Sequence, residues 1–144
     1  MVLGIGGWFY LKFNNPVLFP VKIGKKYGYI NKEGKIVINP QFDFAWGFSE
    51  GLAKVKIGKK WGYINKEGKI VINPQFDDAW DFSEGLAWVK IGRKYGYINK
   101  EGKIVINPQF DYAWDFREGL APVKIGRKYG YINKEGKIVF LEKD

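Results

Sequence analysis

The chain has 144 residues, 46% apolar and 18% aromatic, which is too rich in burying side chains for a disordered polymer and enough for one ordinary domain. It holds no cysteine and no histidine, so disulfides are excluded and only oxygen ligands remain for any metal. The formal charge of +9 makes acidic partners plausible, yet lysine recurs beside glutamate in every Asn-Lys-Glu-Gly-Lys segment, and much of that charge reads as a repeated solvated face.

Residues 1–17 come first and are apolar and interrupted by glycine, with Trp8, Phe9, Tyr10, Leu11 and Phe13 clustered together. They show no basic leader, no small-residue cleavage site and too short a span for a bilayer, so neither a signal peptide nor a transmembrane segment is expected. Localisation stays open between cytoplasm and cell surface. From residue 18 the chain repeats with a period of 34: residues 57–90 recur as 91–124 with five changes, among them Asp78 to Tyr112 and Trp88 to Pro122. The repeats span 18–51, 52–85, 86–119 and a partial 120–144, and together they are read as one structural domain, 1–144. Such units bury their apolar faces by stacking on neighbours, so function is expected on a surface presented again and again.

Within each unit, three short runs alternate with period two and are separated by turn signals, which predicts three strands. Ile57-Gly58-Lys59-Lys60 suits a two-residue hairpin with glycine in the first central position, and Asn65-Lys66-Glu67-Gly68 suits a type I turn closed by a glycine bulge. Those turns set a register with Val55 opposite Gly62, Lys54 opposite Tyr63, Ile64 opposite Ile70 and Gly62 opposite Ile72. One face then carries Ala53, Val55, Ile57, Ile64, Ile70 and Ile72 as core, with Gly62 at its centre beneath a neighbouring aromatic ring. The other carries Trp61, Tyr63 and Val71 among Lys54, Lys56 and Lys69, half-buried against the next unit. Pro20 and Pro122 fall in the first strand and argue that this strand is an edge. The connection that follows the third strand holds Phe76, Trp80 and Phe82, too apolar for water, and is expected to plug the space between meanders.

The expected fold class is therefore all-β: a tandem array of four three-stranded antiparallel meanders, open and stacked or superhelical, with a closed propeller-like ring as the alternative. The segment KWGYINKEGKIVINPQFDDAWDFSEGLAWVK resembles the WG beta repeat of many bacterial proteins, through its aromatic-Gly pair, its NKEGKIV turn and its FSEGLA loop in that order. That resemblance covers residues 18–144 and implies a small all-β unit strung into arrays. Tyr27, Tyr95 and Tyr129 replace the tryptophan of the aromatic-Gly pair in three copies.

Catalysis is poorly supplied. The chain has no histidine, cysteine or threonine, and its two serines, Ser49 and Ser83, give way to Arg117 in the next copy, so no nucleophile and base can be assembled and no enzyme is expected. Asp77, Asp81 and Glu84 cluster in one loop, where a turn role outweighs a calcium or glycosidase site. No catalytic residue, metal or cofactor is assigned. Binding candidates are the positions that differ between copies and their neighbours: Trp88, Tyr95, Tyr97, Tyr112 and Lys54, a cluster suited to a sugar ring or a partner side chain as well as to packing between repeats. Lysines interleaved with aromatics also admit an acidic polymer, although arginine is scarce and nucleic acid is not favoured. At the ends, Trp8, Phe9, Tyr10, Leu11 and Phe13 are read as a cap, as a plug for the unfinished last unit of another copy, or as a ring closure. The favoured partner is the chain itself, head to tail, or another protein, with a glycan as the alternative.

Overall fold

The computed structural model describes residues 16–144. The predicted self-association residues Trp8, Phe9, Tyr10, Leu11 and Phe13 lie outside them. The described residues form fifteen strands and no helix, and none of them provides a helix long and apolar enough to cross a membrane. The chain falls into two compact units, Met1–Pro74 and Gln75–Asp144.

In the first unit, β1 (Phe19–Ile23), β2 (Lys26–Ile30) and β3 (Ile36–Phe42) make one antiparallel sheet. A second is made by β4 (Phe44–Ser49), β5 (Leu52–Ile57), β6 (Lys60–Ile64) and β7 (Ile70–Phe76), whose last two residues cross the unit boundary. The first hairpin keeps its predicted register, with Lys54 opposite Tyr63 and Val55 opposite Gly62. Its cause is local: Gly58 takes a φ of 66°, which suits the first central position of a tight reversal. At the next turn the Asn65 side-chain oxygen accepts from the backbone of Glu67 and Lys69 at 3.0 Å each, and Gly68 closes the reversal at a φ of 85°. Leu18, Tyr29, Ile38, Phe42, Ala45, Ala53, Val55 and Ile64 form the core of this unit.

The second unit repeats the pattern in two four-stranded sheets. One takes the order β11 (Ile104–Phe110), β10 (Lys94–Asn99), β9 (Leu86–Ile91), β8 (Asp78–Ala79), and the other the order β12 (Tyr112–Ala113), β13 (Leu120–Ile125), β14 (Lys128–Asn133), β15 (Ile138–Leu141). Each sheet is open, with two edges. Its core is built on Tyr97, Ile106, Phe110, Phe116, Val123 and Ile132.

Several expectations are corrected. The aromatic connection is not a bare loop: it adds a short strand, β4, β8 or β12, to the first strand of the following meander. The first strand of the meander is therefore internal in three of the four sheets, and of the four first strands only β1 is an edge. Pro122 fits this arrangement because β12 pairs only with Lys124 and Val123, and beyond it the Pro122 carbonyl accepts from the Trp114 N–H at 3.1 Å, so the missing proline donor falls where the ladder has stopped.

The second hairpin also departs from its register. Ile98 meets Ile104 as the turn dictates, but a bulge then sets Tyr97, not Gly96, opposite Ile106, and the first repeat does the same with Tyr29 and Ile38. The glycine consequently lies under backbone and not under a ring: a Cβ at Gly62 would stand 2.5 Å from the Ile72 carbonyl oxygen and 2.7 Å from the Pro74 nitrogen. The strand-end residues Ile57 and Ile70 and the loop residue Trp80 are exposed, whereas Ala53, Val55, Ile64, Ile72, Phe76 and Phe82 are buried as expected.

Candidate functional site

The site grows from the Phe-Ser-Glu-Gly turns. Ser83 bridges to Leu86 across Glu84 and Gly85, which both take positive φ, 53° and 82°, the pairing that a type I′ hairpin needs. A left-handed non-glycine residue costs roughly 1–2 kcal/mol. The glutamate offsets that cost by bonding to the next repeat: its carboxylate accepts from the backbone N–H of Glu118 and, at 2.9 Å, of Gly119. Ser83 Oγ donates to the Phe116 carbonyl at 2.8 Å, and Lys134 Nζ donates to the Glu84 carbonyl at 3.1 Å while lying 3.3 Å from its carboxylate. The Gly119 N–H, followed by those of Glu118 and Lys134, holds the Glu84 carboxyl below its ordinary pKa.

Tyrosine hydroxyls hold the tryptophans of the connections. In the first unit the Tyr29 hydroxyl donates to the Trp46 carbonyl at 2.6 Å; in the second, the Tyr97 hydroxyl donates to the Trp114 carbonyl at the same distance. Burial pushes the Tyr97 hydroxyl far above the ordinary phenol range. Each tryptophan thus has a fixed backbone and a half-exposed ring, 40% exposed at Trp80 and 38% at Trp114.

Around them the second unit carries an unbroken row of rings. Trp80 stacks on Trp88 at 5.7 Å with 3° between planes, Trp88 meets Tyr95 edge-on at 5.2 Å, Tyr95 stacks on Tyr112 at 4.9 Å, and Tyr112 stacks on Trp114 at 5.0 Å. Burial, then Tyr112 and Asp78, raise the Tyr95 pKa. Beside the row lies a cleft of about 810 Å³ lined by Trp80, Trp88, Tyr112, Trp114, Pro122 and Tyr131, with Asp78, Asp115 and Glu118 at its polar margin.

The position of Pro122 is filled differently from copy to copy. In the first unit it is Lys54, 3% exposed, whose ammonium lies 5.3 Å from the Trp46 ring and 5.4 Å from the Trp61 ring, a cation held over two indoles. One repeat on it is Trp88, stacked on Trp80. At Pro20 and Pro122 it is proline, yet Tyr131, opposite Pro122, stands 45% exposed where Tyr29, opposite Pro20, is fully buried, as are Tyr63 and Tyr97.

The residues predicted from sequence divide accordingly. Tyr112 and Trp88 line the cleft, Trp88 with little surface left; Tyr95 supports the row from beneath. Tyr97 and Lys54 are buried and already bonded, which takes them out of direct reach of a ligand and makes them supports for Trp114 and Trp46. Sequence reasoning gave Trp80 to packing and Glu84 to a turn, and did not single out Trp114 or Tyr131. The recurrence of Trp46, Trp80 and Trp114 at one repeat position was the available signal. Among the described residues, no three carboxylates lie close enough to hold a metal ion, and Asp77 accepts the Gly92 N–H at 2.7 Å as a turn residue does.

The family model described as WG containing repeat matches residues 27–61, 61–95, 95–129 and 129–140. No curated protein matches the chain. Among solved structures, similarity reaches a Cicer arietinum plant lectin with two metal binding sites, at 15% identity over 79% of this chain and 80% of that one, TM-score 0.34. It also reaches a hemopexin fold protein, CP4, from cow pea, at 16% identity over 89% and 88%, TM-score 0.35, and a Cicer arietinum plant albumin showing hemagglutination, at 14% over 89% and 87%, TM-score 0.35. Likeness at these scores carries no argument about this chain.

Proposed function

The chain belongs to the WG containing repeat family, and we propose that it is a non-enzymatic repeat scaffold that works through protein–protein contacts, its copies associating head to tail. The observation that carries this reading is Tyr131, exposed beside an aromatic cleft while its three counterparts are buried. The sequence contains a segment of suitable chemistry in Trp8, Phe9, Tyr10, Leu11 and Phe13, which in another copy would supply the aromatic rings that cover Tyr29 and Tyr97 in their own units. Such a contact is heterologous and extends without closing. The absence of catalytic pairs supports a binding role, as do the carboxylates of Asp43 and Asp111, each committed to a lysine and a turn N–H. Light scattering of the full chain across a concentration series should show mass rising with concentration, and Trp8→Ser with Phe13→Ser should abolish the rise. A chain of constant monomer mass at every concentration sinks the reading.

The half-exposed faces of Trp80 and Trp114 beside Asp78 and Asp115 favour a second reading, a carbohydrate-binding module in which sugar rings stack on indole and carboxylates accept from hydroxyls. Titration with cellohexaose and chitohexaose, followed by tryptophan fluorescence, tests it; no change up to millimolar ligand removes it. An acidic polymer has less support, because Lys90 and Lys124 already lie over the rings of Tyr95 and Tyr129 that a base would stack on.

A further inference from the structure

Successive repeats inside each unit dock through one recurrent contact. In the first unit the Asn65–Gly68 turn rests on Ile38: a Cβ placed on Gly68 would lie 3.1 Å from Ile38 Cγ2, and Lys66 Nζ donates to the Pro16 carbonyl at 3.1 Å. The second unit has the same arrangement. Gly136 lies over Ile106, with a Cβ there 3.2 Å from Ile106 Cγ2, and Lys134 Nζ donates to the Glu84 carbonyl at 3.1 Å. Lysine and carbonyl are 50 residues apart in both cases. The turn thus has an apolar pad, supplied by the repeat before it, and an oxygen anchor 50 residues back along the chain.

Both halves of this contact recur without a mate in the described chain. One repeat on from Ile106 stands Phe140, 57% exposed and a larger apolar pad than the 4% exposed isoleucine it replaces. One repeat on from Glu84 stands Glu118, with a φ of 51° against 53°, so its backbone takes the same left-handed turn. One repeat back from Gly68 and Lys66 stand Gly34, whose Cβ position meets nothing within 4 Å, and Lys32, which is exposed. A pad and anchor at one end match a turn and cation at the other.

We infer, resting on the association proposed above, that the junction between two copies repeats the contact between repeats: the Asn31–Gly34 turn of a second copy seats on Phe140, and its Lys32 bonds to Glu118. Removing one exposed ion pair has a small effect, so the test reverses charges, which sets like charges face to face. Lys32→Glu and Glu118→Lys are made separately in the full chain, their folds are checked by circular dichroism, and association is followed by sedimentation velocity. Each variant alone should associate at least tenfold more weakly than the parent. An equimolar mixture should recover association, since glutamate at 32 in one variant then faces lysine at 118 in the other, and the unaltered pair completes the alternate junction. Phe140→Asp should weaken association at least tenfold with no rescue by either variant. Parental association in both single variants, or no recovery in the mixture, overturns this junction. If association then still depends on Trp8 and Phe13, the head-to-tail reading survives without it; a full chain that never associates removes both.

Discussion

The Tyr97 hydroxyl donates to the Trp114 carbonyl at 2.6 Å, across 17 residues of chain, and ties the centre of one meander to the connection that leads into the next. Tyr131 occupies the same position in the last meander and is exposed. Tyr97→Phe leaves a carbonyl without its donor and should lower unfolding free energy by about 1–2 kcal/mol. Tyr131→Phe should change it by less than about 0.5 kcal/mol, as at an ordinary surface position. Urea denaturation of the two variants side by side checks the contrast. Equal losses would mean that Tyr131 is bonded in solution.

Two glycines separate space from conformation. A Cβ at Gly96 would stand 2.5 Å from the Ile106 carbonyl oxygen and 2.7 Å from the Pro108 nitrogen, both backbone atoms that move only with the strand. Gly47 has open space around its Cβ position and no left-handed φ. Gly96→Ala should cost about 1–3 kcal/mol through overpacking, while Gly47→Ala should be neutral or stabilising by about 0.4–1 kcal/mol through the unfolded chain. The measurement is the denaturation midpoint at constant slope; a harmless Gly96→Ala would refute the close approach of the third strand.

The meander was legible because its turns are local. Gly58 and the Asn65–Gly68 turn each fix their hairpin from a few adjacent residues, and alternation assigns most of the faces. The bulge that places Tyr97 opposite Ile106 was not legible, since it arises from the third strand folding back around Gly96 and Pro108, a contact between segments that no pattern in either one encodes. The strands β8 and β12 escaped for a related reason: Asp78–Ala79 and Tyr112–Ala113 are two residues long, below any period, while the longer β4 has its ladder broken by a register shift between Ala45 and Phe48. For the candidate site, differences between copies drew attention to Trp88 and Tyr112, yet the half-exposed tryptophans are shared by copies and were therefore read as packing.

Trp88 and Trp114 should respond in opposite ways to truncation. Trp88 is 9% exposed and pressed between Trp80 and Tyr95, so Trp88→Ala leaves a cavity and should cost about 3 kcal/mol or more. Trp114→Ala removes a half-exposed ring while its backbone bonds to Tyr97 and Pro122 remain, and should cost about 1 kcal/mol. Whatever enters the cleft, whether a partner segment or an oligosaccharide, should bind at least tenfold more weakly to Trp114→Ala. A Trp88→Ala protein as stable as the parent would return Trp88 to the role of an exposed contact.

The acid limit of stability follows from three carboxylates. Asp43 accepts from Lys26 Nζ and the Gly58 N–H at 2.7 Å each, and these bonds, the lysine's first, hold its pKa below the ordinary value; Asp111 is held the same way by Lys94 and Gly126. Glu84 is held low by the Gly119 N–H first and then by Glu118 and Lys134. A carboxyl with a lower pKa folded than unfolded contributes stability that is present above its unfolded pKa, about 4, and disappears as pH falls through the folded value. Stability should therefore vary little from about pH 5 to 7, because no histidine titrates there, and fall steadily below about pH 4. The urea midpoint measured from pH 7 to 2 should show that fall, and Asp43→Asn, Asp111→Asn and Glu84→Gln should each make it shallower while lowering the neutral-pH midpoint. An acid limb unchanged in all three variants would place the responsible carboxyls elsewhere in the chain.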